Sequence, residues 1–295
     1  MRFAADRVQV RVPATSANLG PGFDALGLAL DIWDEVTVHA YAGPTIVRVK
    51  GEGEGQLPLD ESHLVARATV HALEMVGAPP VGLELDCVNE IPQGKGLGSS
   101  AAAVAAGALI ARALIANPAA LNAGRVFQMT AGFEGHPDNA APAVFGGATV
   151  AWTSEKGSTP KAARLTVDPS VQVVMLLPDA AIATSVARAA LPTRVPHTDA
   201  AFNAGRSALL VHALTTDPSL LFDATADRIH QPYRAEVMPK TAELVAELRA
   251  AGLAAVISGA GPAILVLTTD PSEVPEPSGW RWRRVPIATS GGTVA

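Results

Sequence analysis

The chain has 295 residues, which at about 150 residues per domain is room for two domains or one large one, and in either case for a buried core without disulfide staples. Hydrophobic residues make up 48% and charged residues 17%, which excludes intrinsic disorder, and with aromatics at only 4% the core must be built from Ala, Val, Leu and Ile. With 22 Lys and Arg against 28 Asp and Glu the net charge is −6, so there is no general basic surface for nucleic acid or anionic lipid, and an anionic ligand must be held by local devices.

The N-terminal MRFAADRVQV carries Asp6 and Arg7 and no long apolar run, so it does not read as a secretory signal. Val8, Val10 and Val12 alternate with Gln9 and Arg11 as a first strand. Val36 and Val38 flank Thr37 in a second, Val47 and Val49 mark a third within Thr45–Lys50, and Val81, Leu83, Leu85 and Cys87 share one face of a fourth. Cys87, the only cysteine, reads there as a small core hydrophobe and not a nucleophile; its solitude excludes an internal disulfide and a multi-cysteine metal site. Between the third and fourth strands, Leu64, Val65, Ala68, Ala72, Leu73 and Val76 recur at helical spacing over Ser62–Val76, and Gly77 and Pro79 stop the helix. His63 and His71 lie in this helix without an adjacent ligand motif and read as structural or surface groups.

A polar, turn-rich segment, Ser154–Pro160, marks the shift to the second half. It runs into a short strand, Ala162–Val167, closed by Asp168-Pro169, and the domain boundary is placed there, giving units 1–168 and 169–295. Beyond it the pattern predicts a strand at Val171–Leu177, helices at Asp199–Leu214 and Thr241–Ala251, and strands at Ala254–Ser258 and Ala263–Thr268. Strands interleaved with helices suggest an α+β sandwich in each half. The longest apolar stretches are Ala101–Ala116, broken by Arg112, and Ala251–Thr269, broken by Gly252, Gly259, Gly261 and Pro262. Neither reads as a membrane span, so the expected location is the cytoplasm, with no membrane or nucleic-acid partner.

Chemistry concentrates in Ile91–Gly107, IPQGKGLGSSAAAVAAG. Gly94, Gly96 and Gly98 let the backbone curl with N–H groups inward, the helix that follows adds its unpaired N–H groups and positive dipole end, and Ser99 and Ser100 add hydroxyls, so the loop can hold phosphate oxygens. The other reading is a tight strand-to-helix turn. The G-x-x-x-x-G-K-[ST] pattern fails, because Lys95 lies inside the glycine run. Gly20-Pro21-Gly22-Phe23-Asp24-Ala25 matches G-x-G-x-x-[GA], but no helix pattern opens there, so the match reads as accidental.

Three more segments accompany this loop: Pro13–Asp24 (PATSANLGPGFD), Glu134–Gly147 (EGHPDNAAPAVFGG) and Ser258–Ala263 (SGAGPA). In this order, the four resemble the signature motifs of the GHMP small-molecule kinases. The first motif, followed by ALGLAL, together with His136-Pro137-Asp138-Asn139 and Ile229–Arg234, is similar to the homoserine branch of that superfamily. The resemblance implies an α+β GHMP kinase fold, with an N-terminal domain like the second domain of ribosomal protein S5, a ferredoxin-like C-terminal domain, and a site in the cleft between them. It implies ATP, Mg2+ and L-homoserine as cofactors and substrate, and it allows a homodimer, for which the sequence itself shows no interface.

The same resemblance distributes roles. Pro92, Gly94, Lys95, Gly96, Leu97, Gly98, Ser99, Ser100 and Ala101 would surround the ATP phosphates; Lys95 would either neutralise phosphate charge or only decorate an exposed loop. Asp24 would take the substrate ammonium with Asn18 beside it, Arg188 and Arg234 would fork the carboxylate, and His136 and Gly259 would line that pocket. Glu134 and Ser99 would be the magnesium ligands, with Ser100 offering a second hydroxyl, while a surface helix end is the other reading of Glu134. Asp138 and Asn139 belong to the catalytic group with Glu134 and His136, their roles left open. Where many members have an Asn that holds the nucleoside, this chain has Ser62-His63-Leu64. The alternatives are another kinase of the superfamily, a catalytically silent relative that binds nucleotide or metabolite, and, last, a nicotinamide oxidoreductase resting on Gly20–Ala25.

Overall fold

Alternation along the N-terminal strands puts Val10, Val12, Val36, Val38, Leu83 and Leu85 on one side of the backbone, and in the computed structural model, which describes residues 2–154 and 159–295, these residues form the inner face of a sheet. Its strands are β1 (Arg7–Ala17), β2 (Leu26–Tyr41), β3 (Ile46–Gly51), β4 (Gly82–Asn89), β5 (Ala148–Thr153) and β6 (Pro160–Leu165). Pairing is antiparallel except between β3 and β4. The long β2 serves two neighbours: Glu35–Tyr41 pair with β4, while Leu26–Leu28 pair with β5.

Helices α1 (Leu64–Met75), α2 (Ser99–Leu114), α3 (Ala123–Glu134) and α4 (Ala140–Phe145) cover this sheet. The small face of α2, with Ala101, Ala102, Ala105 and Ala106 all buried, lets it lie against β1 and α1. Gly107 marks the tightest approach, since a Cβ there would sit 2.6 Å from the Ala68 methyl. Cys87 is buried in the same core, and burial pushes its thiol up to about 12, consistent with a packing role.

The second half contains β7 (Gln172–Pro178), α5 (Thr184–Ala189), α6 (His197–Thr215), α7 (Leu221–Ala224), α8 (Gln231–Arg234), α9 (Pro239–Ala250), β8 (Ala254–Ile257), β9 (Ile264–Thr268) and β10 (Trp280–Val285). Its antiparallel sheet has the order β10-β7-β9-β8. Val174, Leu176, Ile264 and Val266 pack with Leu244 and Leu248 of α9, while Val173, Met175 and Leu265 join Leu210 and Leu214 of α6. The α+β organisation expected for both halves is thus observed. None of the described helices is long and apolar enough to cross a membrane.

Two features go beyond the expected division at Asp168. The strand β6 pairs with β5, so it stays in the first sheet; most of the turn segment Ser154–Pro160 ahead of it, residues 155–158, lies outside the described residues. After β10 the chain returns to the first sheet: Ile287 bridges Leu30, and β11 (Thr293–Val294) pairs with Val10 and Arg11. Residues 169–295 therefore contribute to both layers.

Candidate active site

The loop from Ile91 to Gly98 connects β4 to α2 and is tied at both ends. At its start, Asp34 Oδ1 accepts the N–H groups of Glu90 and Ile91 at 2.8 and 2.9 Å. At its end, Thr15 N donates to the Leu97 carbonyl at 3.0 Å. Gly94, Gly96 and Gly98 all take positive φ, at 65°, 77° and 68°. Two of them also have no room for a side chain: a Cβ on Gly96 would lie 2.1 Å from the Ser258 carbonyl oxygen, and one on Gly98 would lie 1.9 Å from Thr15 Oγ1. Gly98 is the N-cap of α2 and makes no side-chain cap, which leaves the first-turn N–H groups for an anion.

Between β1 and β2 the chain makes an unusual turn. Asn18, Leu19 and Asp24 have φ of 70°, 49° and 56°, left-handed values that cost energy for residues other than glycine. Asn18 compensates by accepting the Asp24 N–H at 3.0 Å and donating to the Gly259 carbonyl at 2.9 Å. The turn presents the Asp24 carboxylate to Arg188 on α5, whose two terminal nitrogens reach its oxygens at 2.8 and 3.2 Å. Arg234, only 2% exposed, donates to the Gly259 carbonyl at 2.8 Å, and burial lowers its pKa. One carboxylate and two guanidinium groups thus face one small space.

The third wall follows α3. Glu134 is its last residue, Gly135 caps it at φ 79°, and His136–Asn139 lead into α4. Glu134 Oε1 accepts from Ser100 Oγ at 2.6 Å; burial raises the carboxyl's pKa, and the serine hydrogen bond opposes that. Asp138, 2% exposed, holds His136 Nδ1 at 2.5 Å and accepts the Asn139 N–H at 2.9 Å; the hydrogen bond to Asp138 raises the His136 pKa. Asn139 Oδ1 accepts from Thr15 Oγ1 at 2.8 Å. Ligand atoms of Asp24, His136 and Asp138 lie within 4.8 Å of one another.

A cleft of about 150 Å³ joins these walls, lined by Asn18, Pro92, Gly94, Gly96, Leu97, Gly98, Ser99, Ser100, Glu134, His136, Asp138, Asn139, Arg188, Arg234 and Gly259. Asp24 meets it through Arg188. Residues 63–147 match the family model described as the GHMP kinases N terminal domain, and residues 209–276 match the GHMP kinases C terminal model. A homoserine kinase of Clavibacter michiganensis subsp. michiganensis is 50% identical over 268 residues, 90% of this chain and 84% of that protein. The chain belongs to the homoserine kinase family of GHMP kinases. A homoserine kinase of Streptomyces avermitilis is 46% identical over 99% of this chain and 97% of its own length. The crystal structure of the Cytophaga hutchinsonii family member superposes with a TM-score of 0.82 at 26% identity, covering 100% of this chain and 99% of that one. The L. major mevalonate kinase shares the fold, with a TM-score of 0.67 at 13% identity over 98% of this chain and 99% of that one.

One residue predicted to surround phosphate lies elsewhere in this family member. Lys95 is 9% exposed, and its amine donates to the Pro178 carbonyl on β7 at 2.7 Å; it neither faces the cleft nor decorates an exposed loop. The reason is local: with Gly94 and Gly96 both left-handed, the lysine between them is directed at the second sheet. Ala101, in the first turn of α2, turns its methyl into the core, so that only its backbone N–H is available at that helix end. Of the two serines it is Ser100, not Ser99, that pairs with Glu134. Gly20–Ala25 forms the β1–β2 turn and opens no helix, which removes the dinucleotide reading.

The sequence reading missed a second pocket, about 320 Å³, that shares Gln93, Ser99 and Ser100 with the cleft and is otherwise lined by Asp34, Leu57, Pro58, Ser62, His63 and Val65, among others. His63, read as structural or surface, is buried and caps α1 by accepting the Val65 N–H at 3.3 Å, and it also walls this pocket. Asp34 had a legible signal: the spacing Ile32, Asp34, Val36 puts a carboxylate on the inward face of a strand. A larger groove of about 860 Å³, with Arg164, Val171, Arg284 and Ile287 in its walls, lies where the chain crosses between sheets; of the motif segments only Gly147, the last residue of Glu134–Gly147, reaches it.

Proposed function

We propose that the chain transfers the γ-phosphoryl group of ATP to the side-chain hydroxyl of L-homoserine, giving ADP and O-phospho-L-homoserine on the route to threonine. The observation that carries this reading is the Asp24–Arg188 pair beside Arg234, in the same cleft as the glycine loop. An amino acid is a zwitterion: its ammonium can take over Asp24 while its carboxylate takes over the two guanidinium groups, so the internal ion pair is replaced and not simply broken. The phosphates are received by the loop N–H groups and the start of α2. The pocket of Ser62, His63 and Asp34 takes the nucleoside.

The homoserine oxygen attacks the γ-phosphorus as the bond to the ADP oxygen breaks. His136 and the Asn139 N–H both engage Oδ1 of Asp138, which orients that carboxylate, and the hydroxyl proton passes to a phosphate oxygen, in keeping with a loose transition state that needs no strong base. Glu134 with Ser100, and Ser99 beside them, offers a carboxylate and hydroxyl oxygens where the phosphates arrive, a hard donor set that fits magnesium. Bound there, Mg2+ would neutralise charge on the transferring phosphates. The test is a coupled ADP-release assay comparing L-homoserine with 3-amino-1-propanol, which lacks the carboxylate, and 4-hydroxybutyrate, which lacks the ammonium. Each deletion removes a charge-assisted bond of about 1.5–3 kcal/mol, so kcat/KM falls about 10- to 100-fold for either analogue. Equal turnover of a monopolar alcohol rejects the homoserine assignment.

A further inference from the structure

The side chain of His230 is fully buried, and nothing in the phosphoryl transfer uses it. Its Nε2 lies 2.7 Å from the Gly20 carbonyl oxygen, and its Nδ1 lies 3.1 Å from Arg234 Nη1. A carbonyl only accepts and a guanidinium only donates. The ring must therefore be neutral, with its proton on Nε2 and a bare Nδ1 that accepts from Arg234. Phe23, next to Asp24, stacks on the ring at 5.2 Å between centroids. The ring's own backbone is anchored as well: Asp227 accepts the N–H groups of Ile229, His230 and Gln231 and the Asn203 amide at 2.8 Å, and its Oδ2 lies 3.5 Å from Nε2, the nitrogen that carries the proton.

We infer that His230 is a positioning residue that couples the two halves of the acceptor pocket, aiming the Arg234 guanidinium through Nδ1 and fixing the turn that carries Asp24 through Nε2. Arg234 is otherwise held by two backbone carbonyls and by the face of Phe23, 5.8 Å from its guanidinium carbon. The same Nη1 donates to the Gly259 carbonyl and Nε reaches the Ala187 carbonyl at 3.3 Å, so the histidine supplies the contact from its own helix turn. The inference rests on the reading of Arg234 as a carboxylate-binding group.

Two substitutions separate the two contacts. In His230→Asn the amide oxygen stands near the Nδ1 position and keeps the acceptor for Arg234; in His230→Gln the amide nitrogen reaches toward the Nε2 position and keeps only the donor to Gly20. Wild type is assayed first, because failure to phosphorylate homoserine rejects the functional reading itself. With that activity established, His230→Gln is expected to raise the KM for homoserine about tenfold or more and to leave the KM for ATP and kcat/KM for 3-amino-1-propanol within about threefold, while His230→Asn, which loses the tie to Gly20, is expected to lower kcat/KM for homoserine and 3-amino-1-propanol about tenfold and to leave the KM for ATP and kcat/KM for 4-hydroxybutyrate within about threefold. Wild-type homoserine KM in His230→Gln, or equal losses for homoserine, the amino alcohol and ATP, overturns the inference. Histidine 15N NMR of the unaltered protein tests it without reliance on variant folding: a bare Nδ1 and a protonated Nε2 support it, and a His230 ring protonated at Nδ1 overturns it.

Discussion

Asp34 shows how a single carboxylate can be placed where the sequence pattern calls for a hydrophobe. It lies on the inward face of β2 between Ile32 and Val36, and burial pushes its pKa up to about 7, against the opposing pull of the Glu90 and Ile91 N–H groups. A carboxyl raised in the folded state binds its proton more tightly there than in the unfolded chain. Its contribution to stability is therefore fully present below about pH 4 and is lost as pH rises through about 7. In Asp34→Asn the amide oxygen can still accept both N–H groups, since both reach Oδ1 alone, and the titration disappears. Denaturant unfolding at a series of pH values should show the variant gaining on wild type between about pH 4 and pH 7, with a constant difference below that window. A pH-independent difference across the window refutes the assigned pKa. Of the charged residues in the candidate acceptor pocket, Asp24 and Arg234 stand in short motifs, whereas Arg188 stands in none and was legible only through the family resemblance. What no motif could show is that Asp24 and Arg188, separated by 164 positions, pair with each other.

At the scale of elements, periodicity was informative wherever one face meets a core. The strands at Val8–Val12 and Val81–Cys87 and the helices α1, α6 and α9 were legible for that reason. The helix α3 was not, because Gly124 and Gly132 interrupt its apolar positions, and β10 was not, because Trp280, Trp282, Arg281 and Arg283 alternate two kinds of side chain that both reach solvent. The glycine loop was legible as a loop, but its tightness came from elements remote in sequence: Thr15 on β1 and the carbonyl of Ser258. This yields a paired experiment. Gly55 and Gly98 both have positive φ, at 73° and 68°, but a Cβ on Gly55 meets nothing within 4 Å. Gly55→Ala should cost only the backbone strain, about 1–2 kcal/mol of stability, with nucleotide affinity unchanged. Gly98→Ala adds a clash with Thr15 and displaces the first turn of α2, so calorimetric ATP affinity should fall about tenfold or more. ATP affinity equal to wild type in Gly98→Ala would remove the α2 N-terminus from the phosphate site.

Across the whole molecule, the site is a seam between two sheets. Ser258 Oγ reaches Ser16 Oγ and the Gly96 carbonyl, each at 2.8 Å; Gly259 N donates to the Ala17 carbonyl at 3.1 Å; and Ile182 N donates to the Gly94 carbonyl at 2.9 Å. Because these ties hold the glycine loop and the end of β1 ahead of the Asp24 turn from the second half, the relative position of the halves sets the width of the cleft. Lys95 belongs to this set. Its charge and its place in the glycine run resemble a phosphate ligand, yet its amine is bonded to Pro178. Replacement by the unbranched, uncharged Met, which keeps the apolar stem and removes the amine, distinguishes the two roles. A seam tie predicts that Lys95→Met loses about 1.5–3 kcal/mol of stability, the range for a hydrogen bond to a charged group, while the KM for ATP stays within about threefold. A phosphate ligand predicts the reverse, with stability near wild type and the KM for ATP raised about tenfold or more. Chemical denaturation and ATP kinetics on the same preparation decide between them, and the buried amine 2.7 Å from a carbonyl of β7 favours the first outcome.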